Sequence, residues 1–258
     1  MAGKWAKFPH PDKAYVRDAA GLKKHWPRLH TGDREPFPKD AAVADAWRYF
    51  HAGDFGAAVE AGLAAGGAGI HAAAKAQVIY ANYLERSEKS RLALFEQAAG
   101  WEDERRQKAP KDANAHYLYA FALGRYGQGI SVAKALAQGF GGKIRESLTT
   151  ALKLDPKHAD AHTAFGAYQA EVINKVGALV AGVTYGAKKD SATEHYQSAL
   201  KLNPESAIAR MEYANGLIML YGKSRMDDAQ RLYEEAVACE PADAMERLDV
   251  EHARTELE

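Results

Sequence analysis

One phrase is written twice in this chain: Leu-Lys-Leu-Asp-Pro closes at Pro156 and Leu-Lys-Leu-Asn-Pro closes at Pro204. A weaker copy, Ala-Val-Ala-Cys-Glu-Pro, ends at Pro241. Each phrase ends a helix-patterned run, and an Ala-x-Ala start follows the earlier prolines in one register: Ala113-x-Ala115-His116 after Pro110, Ala159-x-Ala161-His162 after Pro156, Ala207-x-Ala209-Arg210 after Pro204. A supersecondary unit of this size cannot bury its apolar face alone. Repetition in register therefore restricts the fold to stacked copies that share a continuous core.

The units read as helical. Val43, Ala46, Trp47 and Phe50 make one apolar stripe, Gly53-Asp54 breaks it, and a second run through Ala57, Ala58, Ala61 and Leu63 ends at Gly66-Gly67, a helical hairpin with a glycine stop. The next pair spans Ala72 to Leu84 and Glu88 to Lys108, closed by Ala109-Pro110. Before Asp40 the chain is dense in proline and aromatics (Pro9, Pro11, Pro27, Pro36, Pro38; Trp5, Phe8, Tyr15, Trp26, Phe37), which predicts an arm packed along the first helices, with a short helix over Asp12 to His25.

These residues resemble the tetratricopeptide repeat, whose unit of about 34 residues wants a small residue inside helix A, alanine and an aromatic on helix B, and a proline after it. Tyr213, Ala214, Leu217, Ala229, Tyr233, Ala236 and Pro241 fit the last unit; Phe165, Gly166, Ala192, Tyr196, Ala199 and Pro204 fit the one before; Ala46, Tyr49, Gly53, Asp54, Phe55 and Ala58 fit the first. The prolines, however, are spaced 46, 48 and 37 residues apart, so two central units carry surplus apolar, glycine-rich stretches, Tyr126 to Gly142 and Val176 to Ala187. Repeat proteins with such inserts are similar to the TatT component associated with TRAP transporters and to regulator of microtubule dynamics proteins. The expected architecture is an all-α, tetratricopeptide-like solenoid of four to five hairpins over residues 40–245, with a basic arm at 1–39 and an acidic helical tail at 246–258.

The resemblance implies a concave groove lined by the A helices. Asn114, Tyr117, Phe121, Arg125, Thr163, Glu171, Met211, Asn215, Ile218 and Met219 are its partner-binding candidates by position. The lysine-asparagine clamp of chaperone-binding relatives is missing as a set, Asn215 alone standing at a clamp position. Aromatic and methionine side chains there suit a peptide or helix. The implied function is a non-catalytic interaction or adaptor module; the alternative is a small apolar ligand-binding or transporter-associated protein. Two arrangements of the groove stay open: exposed to a partner, or filled by the inserts.

Catalytic and metal chemistry finds little footing. His158 and His162 are four apart, with Asp155 and Asp160 nearby, but His162 repeats the position of His116 and reads as packing. His195 has no second ligand at useful spacing. Gly139-Phe-Gly-Gly-Lys143 lacks the first glycine, the Ser/Thr and the strand of a phosphate loop. Cys239 has no sequence-linked base. No enzyme, cofactor or metal is expected.

Charge bears on partners. Lysine plus arginine equals aspartate plus glutamate at 34 each, which argues against nucleic acid. The ends differ: residues 1–38 carry eight basic and four acidic side chains, residues 224–258 four and eleven, so the ends can attract each other or drive homo-oligomerisation. The most apolar window, Val176 to Ala187, is short of the roughly twenty residues a transmembrane span needs and reads as buried or interfacial. With one cysteine and no secretory signal at Met1, the expected location is the cytoplasm.

Overall fold

Short polar side chains placed just ahead of apolar runs decide where the helices begin. Asp18, Asp40, Asp54, Ser87, Asp112 and Ser206 each accept a hydrogen bond from the amide two or three residues on, the N-cap geometry that satisfies an otherwise orphaned donor. In the computed structural model, which describes residues 5–257, these starts produce an all-helical chain. The first four residues of the expected arm and the last of the expected tail lie outside the described residues.

After a short turn at Lys13–Tyr15 come α1 (Ala19–Leu29), α2 (Ala41–Ala52), α3 (Phe55–Ala65), α4 (Gly69–Tyr83) and α5 (Glu88–Lys108). Then follow α6 (Ala113–Ile130), α7 (Val132–Ala137), α8 (Phe140–Leu154), α9 (Ala159–Val176) and α10 (Ala178–Tyr185). The chain ends with α11 (Lys189–Leu202), α12 (Ala207–Tyr221), α13 (Met226–Val237) and α14 (Ala244–Thr255). Five hairpins stack in order: α2/α3, α4/α5, α6/α8, α9/α11 and α12/α13. The short helix of the arm is displaced from its expected span. Asp18 caps it, and it continues through Pro27 to Leu29 because Trp26 and Leu29 are buried against α2 and α14.

The surplus residues of the two central units are helices. α6 runs on to Ile130 before α7 begins, and α10 follows α9 after Gly177. Both inserts emerge at the same end of their hairpins. They meet over Gly141, where a Cβ would stand 2.7 Å from Leu136 of α7 and 3.1 Å from Tyr185 of α10.

The core passes from hairpin to hairpin, as stacking requires. α4 shows why the stack holds: it is buried all round from Ala72 to Ala81, the pattern of a helix packed on every side. Further along, the Tyr196 ring of α11 is wedged between Gly166 of α9 and Gly216 of α12, a position that tolerates no side chain on either.

The two inserts differ in their relation to the groove: residues of the first, among them Val132, Ala135 and Leu136 of α7, line it, and α10 does not. The last helix returns across the concave face and packs on α12, α13 and α2, burying Ala244, Leu248, Val250 and Ala253. Burial of Leu248 and Val250 contributes about 3–6 kcal/mol before chain entropy is counted. Ion pairs and hydrogen bonds then join the two ends. Arg28 grips Glu246 through two parallel bonds of 2.6 and 2.8 Å, Arg17 donates to the carbonyl of Ala242 at 2.7 Å, and His51 lies 2.6 Å from Asp243. The opposite charges of the termini thus meet within one chain.

Candidate functional site

What remains of the concave face is a cavity of about 150 Å³ bounded by α4, α6, α7, α8, α9, α12, α14 and the loop after α1. A void of that order holds one small aromatic ring or several waters. Its floor is set by Lys75, which interrupts the alanine-rich run of α4. The ammonium is 2.6 Å from Asp33 and 3.8 Å from Asp160. Burial disfavours the charge on Lys75, but the two carboxylates outweigh it and hold its pKa above the ordinary lysine range. Asp33 is pulled well below the carboxylate range: burial opposes this, and His30, 2.8 Å away, together with Lys75 prevails. Asp160, half-buried and farther from the ammonium, is raised by burial instead.

At the other end Arg125 donates to Glu212 at 2.8 Å and lies over the Phe121 ring. Gln128 donates to Glu171. Tyr83 donates to Asp249 at 2.5 Å. Burial pushes both Glu171 and Asp249 up to about 7. Six carboxyl groups (Asp33, Asp160, Glu171, Glu212, Glu246, Asp249) and two cations line the cavity. Beside them runs an apolar wall that includes Phe121, Leu136, Ala167 and Val172. Two buried polar atoms in this lining, Tyr168 Oη and Asn203 Oδ1, have no partner among the described residues.

The sequence-derived candidates divide evenly. Tyr117, Phe121, Arg125, Thr163 and Glu171 line the cavity, and Tyr117 stacks on Phe121 with ring centroids 5.9 Å apart. Asn114 is turned away and buried, donating to Glu35 at 2.6 Å and accepting from His158 at 2.8 Å. The α12 candidates do not reach the cavity. Met211 is packed with Tyr196 and Leu217, Asn215 accepts from Tyr233 at 2.6 Å, and Ile218 and Met219 pack against neighbouring core clusters. Ile208 and Glu212 face the cavity in their place. Lys75, Asp33 and Asp249 escaped the sequence reading, and Asp160 entered it only as a neighbour of the His158/His162 pair. A lone lysine within Ala72–Ala76 was the available signal.

The histidines take structural roles. His158 caps α9: its Nδ1 accepts from the amide of Ala161 at 3.1 Å, and burial lowers its pKa to about 4. His116 and His162 each donate to the carbonyl of the proline six residues earlier, Pro110 and Pro156, a device repeated with the register. His195 does find a neighbour, His162, at 2.8 Å. No group of three metal-ligating side chains occurs among the described residues. Gly139 to Lys143 forms the start of α8, with no strand before it among the described residues. The Cys239 thiol donates to the carbonyl of Glu235, and burial raises its pKa. No helix among the described residues is long and apolar enough to cross a membrane.

Paired A and B helices stacked into a superhelix, closed by a final helix, define a tetratricopeptide-type repeat protein. A solved structure of the same class, TTC0263, a thermophilic TPR protein from Thermus thermophilus, superposes with a TM-score of 0.56 at 16% identity, covering 83% of this chain and 97% of that one. The chain belongs to the family of regulator of microtubule dynamics protein 1-3, whose model matches residues 70–257, from α4 through the closing helix. No curated protein matches it in sequence.

Proposed function

We propose that the chain is a non-catalytic interaction module that receives one side chain of a partner segment in the cavity between α6, α9, α12 and α14, the rest of the segment lying across its mouth. The observation carrying this reading is the cavity's charge: six carboxyl groups against two cations, both already paired, beside an apolar wall. A peptide or helix bearing an apolar side chain and a lysine or arginine matches that lining. Asn203 Oδ1 offers an acceptor to an incoming N–H. A cation brought next to Glu171 and Asp249 favours their charged forms, so binding releases protons and tightens as pH rises through 7. The family's description makes proteins of microtubule regulation the first partners to test, and a single thiol fits work in the cytoplasm.

An enclosed apolar-ligand or transporter-associated role draws less support. It needs a pocket between the two inserts, and α7 lends Val132, Ala135 and Leu136 to the wall whereas α10 lends none. Affinity purification followed by titration of the recovered partner tests the reading: Ala167→Arg, which fills the cavity, weakens binding about tenfold or more. Repeated recovery of no protein together with a co-purified lipid or metabolite overturns it, as does a partner indifferent to Ala167→Arg.

A further inference from the structure

The insert helix α10 carries the two most exposed large aliphatic side chains among the described residues, Leu179 and Val183. Leu179 is 80% exposed, Val183 83% and Val180 47%, while Ala181 on the opposite side is fully buried. Leu179 and Val183 are four apart and Val180 and Val183 three apart, so the three form a single face. Solvated surfaces carry isolated apolar side chains routinely, but a contiguous exposed apolar face on one helix marks an interaction site.

The charge around it is one-sided. Residues 126–145 and 174–189, the two inserts and their flanks, hold Lys134, Lys143, Arg145, Lys175, Lys188 and Lys189 and no acidic residue, in a chain whose total charge is zero. All but Lys189 are exposed; that ammonium turns inward to the carbonyl of Leu220. The two inserts form one surface: Leu136 of α7 and Tyr185 of α10 converge on Gly141, and the Arg145 guanidinium packs against Gly186 at the end of α10. The nearest acids in sequence, Glu146 and Asp190, fall just outside these stretches.

We propose that α10 and its basic surround form a docking face for an anionic lipid surface. Leu179, Val180 and Val183 would enter the boundary between headgroups and acyl chains, and the surrounding lysines and Arg145 would attract the headgroups. Peripheral attachment of this kind needs two weak signals, apolar insertion and a basic patch, and both are present. The chemistry favours lipid over protein. Protein hot spots are rich in tryptophan, tyrosine and arginine and poor in lysine, whereas this face offers short aliphatic groups among lysines on long flexible stems. The face is separate from the groove, since α10 does not line the cavity.

Flotation of the full chain with vesicles of equal parts phosphatidylcholine and phosphatidylserine tests the proposal against vesicles of phosphatidylcholine alone. Binding to the anionic vesicles, lost at high salt and absent without phosphatidylserine, is the expected result. The double variant L179S/V183S weakens it about tenfold or more, and K143E/K188E weakens it at low salt. These side chains are exposed, so far-ultraviolet circular dichroism of both variants matches that of the parent, separating lost binding from lost folding. No flotation with either vesicle, flotation indifferent to L179S/V183S, or loss of that face's accessibility to a tightly bound acidic protein instead of lipid overturns it.

Discussion

Asp243 Oδ2 lies 2.6 Å from His51 Nδ1, while its other oxygen accepts the amide of Glu246 at 2.8 Å. One buried carboxylate therefore caps α14 and ties it to the first hairpin. Asp243→Ala removes both links and leaves a buried donor on His51 without its acceptor. The expected loss is about 3 kcal/mol of unfolding free energy, roughly 1 from the cap and the remainder from the charge-assisted hydrogen bond. Asp243→Asn retains a good cap and costs about half as much. Urea denaturation of the three proteins decides; equal losses for the two substitutions contradict the double role.

His158 gives the fold an acid sensitivity. Its bare Nδ1 caps α9, and Nε2 donates to Asn114, so the ring is neutral in the folded chain, with a pKa lowered by burial to about 4 from 6.5. Between those values the unfolded chain binds more protons, so stability falls as pH falls from 6.5 to 4, by up to about 3 kcal/mol from this residue. His158→Ser preserves an N-cap and removes the titrating ring. The gap in unfolding free energy between parent and variant, measured from pH 7 down to pH 4, shrinks and then favours the variant. Parallel profiles contradict the assignment.

Tyr196 makes the close approach of three helices depend on two glycines. A Cβ at Gly216 would meet the ring at 2.6 Å and one at Gly166 at 2.9 Å, and the fully buried ring has little room to yield. Gly216→Ala therefore costs about 1–3 kcal/mol although alanine is the better helix former. Pairing it with Tyr196→Leu recovers part of the loss. Thermal melts of the single and double variants report the coupling; additive losses contradict direct packing.

Local signals account for what was legible. Three aligned helix starts, capped by Asp112, His158 and Ser206, fixed which faces of α6 and α9 turn inward, and Tyr117, Phe121, Arg125, Thr163 and Glu171 follow from that register. Met211, Asn215, Ile218 and Met219, assigned by the same register, do not line the cavity. α12 is followed by α13 and then by α14, not by another full repeat, and this packing presents Ile208 and Glu212 to the cavity instead. The return of α14 had no local signature. Its site depends on the summed rotation of five hairpins, and its anchors, Arg28 with Glu246 and Tyr83 with Asp249, are 218 and 166 residues apart. Lys75 was visible as a charge in an alanine run, yet its partners Asp33 and Asp160 come from a proline-rich arm and a later repeat.

Asp249 couples that closure to pH. It is buried on α14, accepts from Tyr83 of α4 at 2.5 Å and faces the cavity, where burial raises its pKa to about 7 from 3.8. The folded chain binds the extra proton between these values, so the residue's contribution to stability is present at low pH and lost as pH rises through 7. Asp249→Asn keeps an oxygen for the Tyr83 hydroxyl and cannot ionise. Relative to the parent it therefore gains stability steadily from pH 4 to pH 7, reaching about 3–4 kcal/mol, and gains no more above that. Because Tyr83 and Asp249 hold α14 over the groove, amide exchange in Ala244–Thr255 should quicken with pH in the parent beyond the intrinsic base catalysis, and do so less in Asp249→Asn. A variant whose stability advantage is the same at pH 4 and pH 8 rules out a buried, proton-retaining carboxyl at this position.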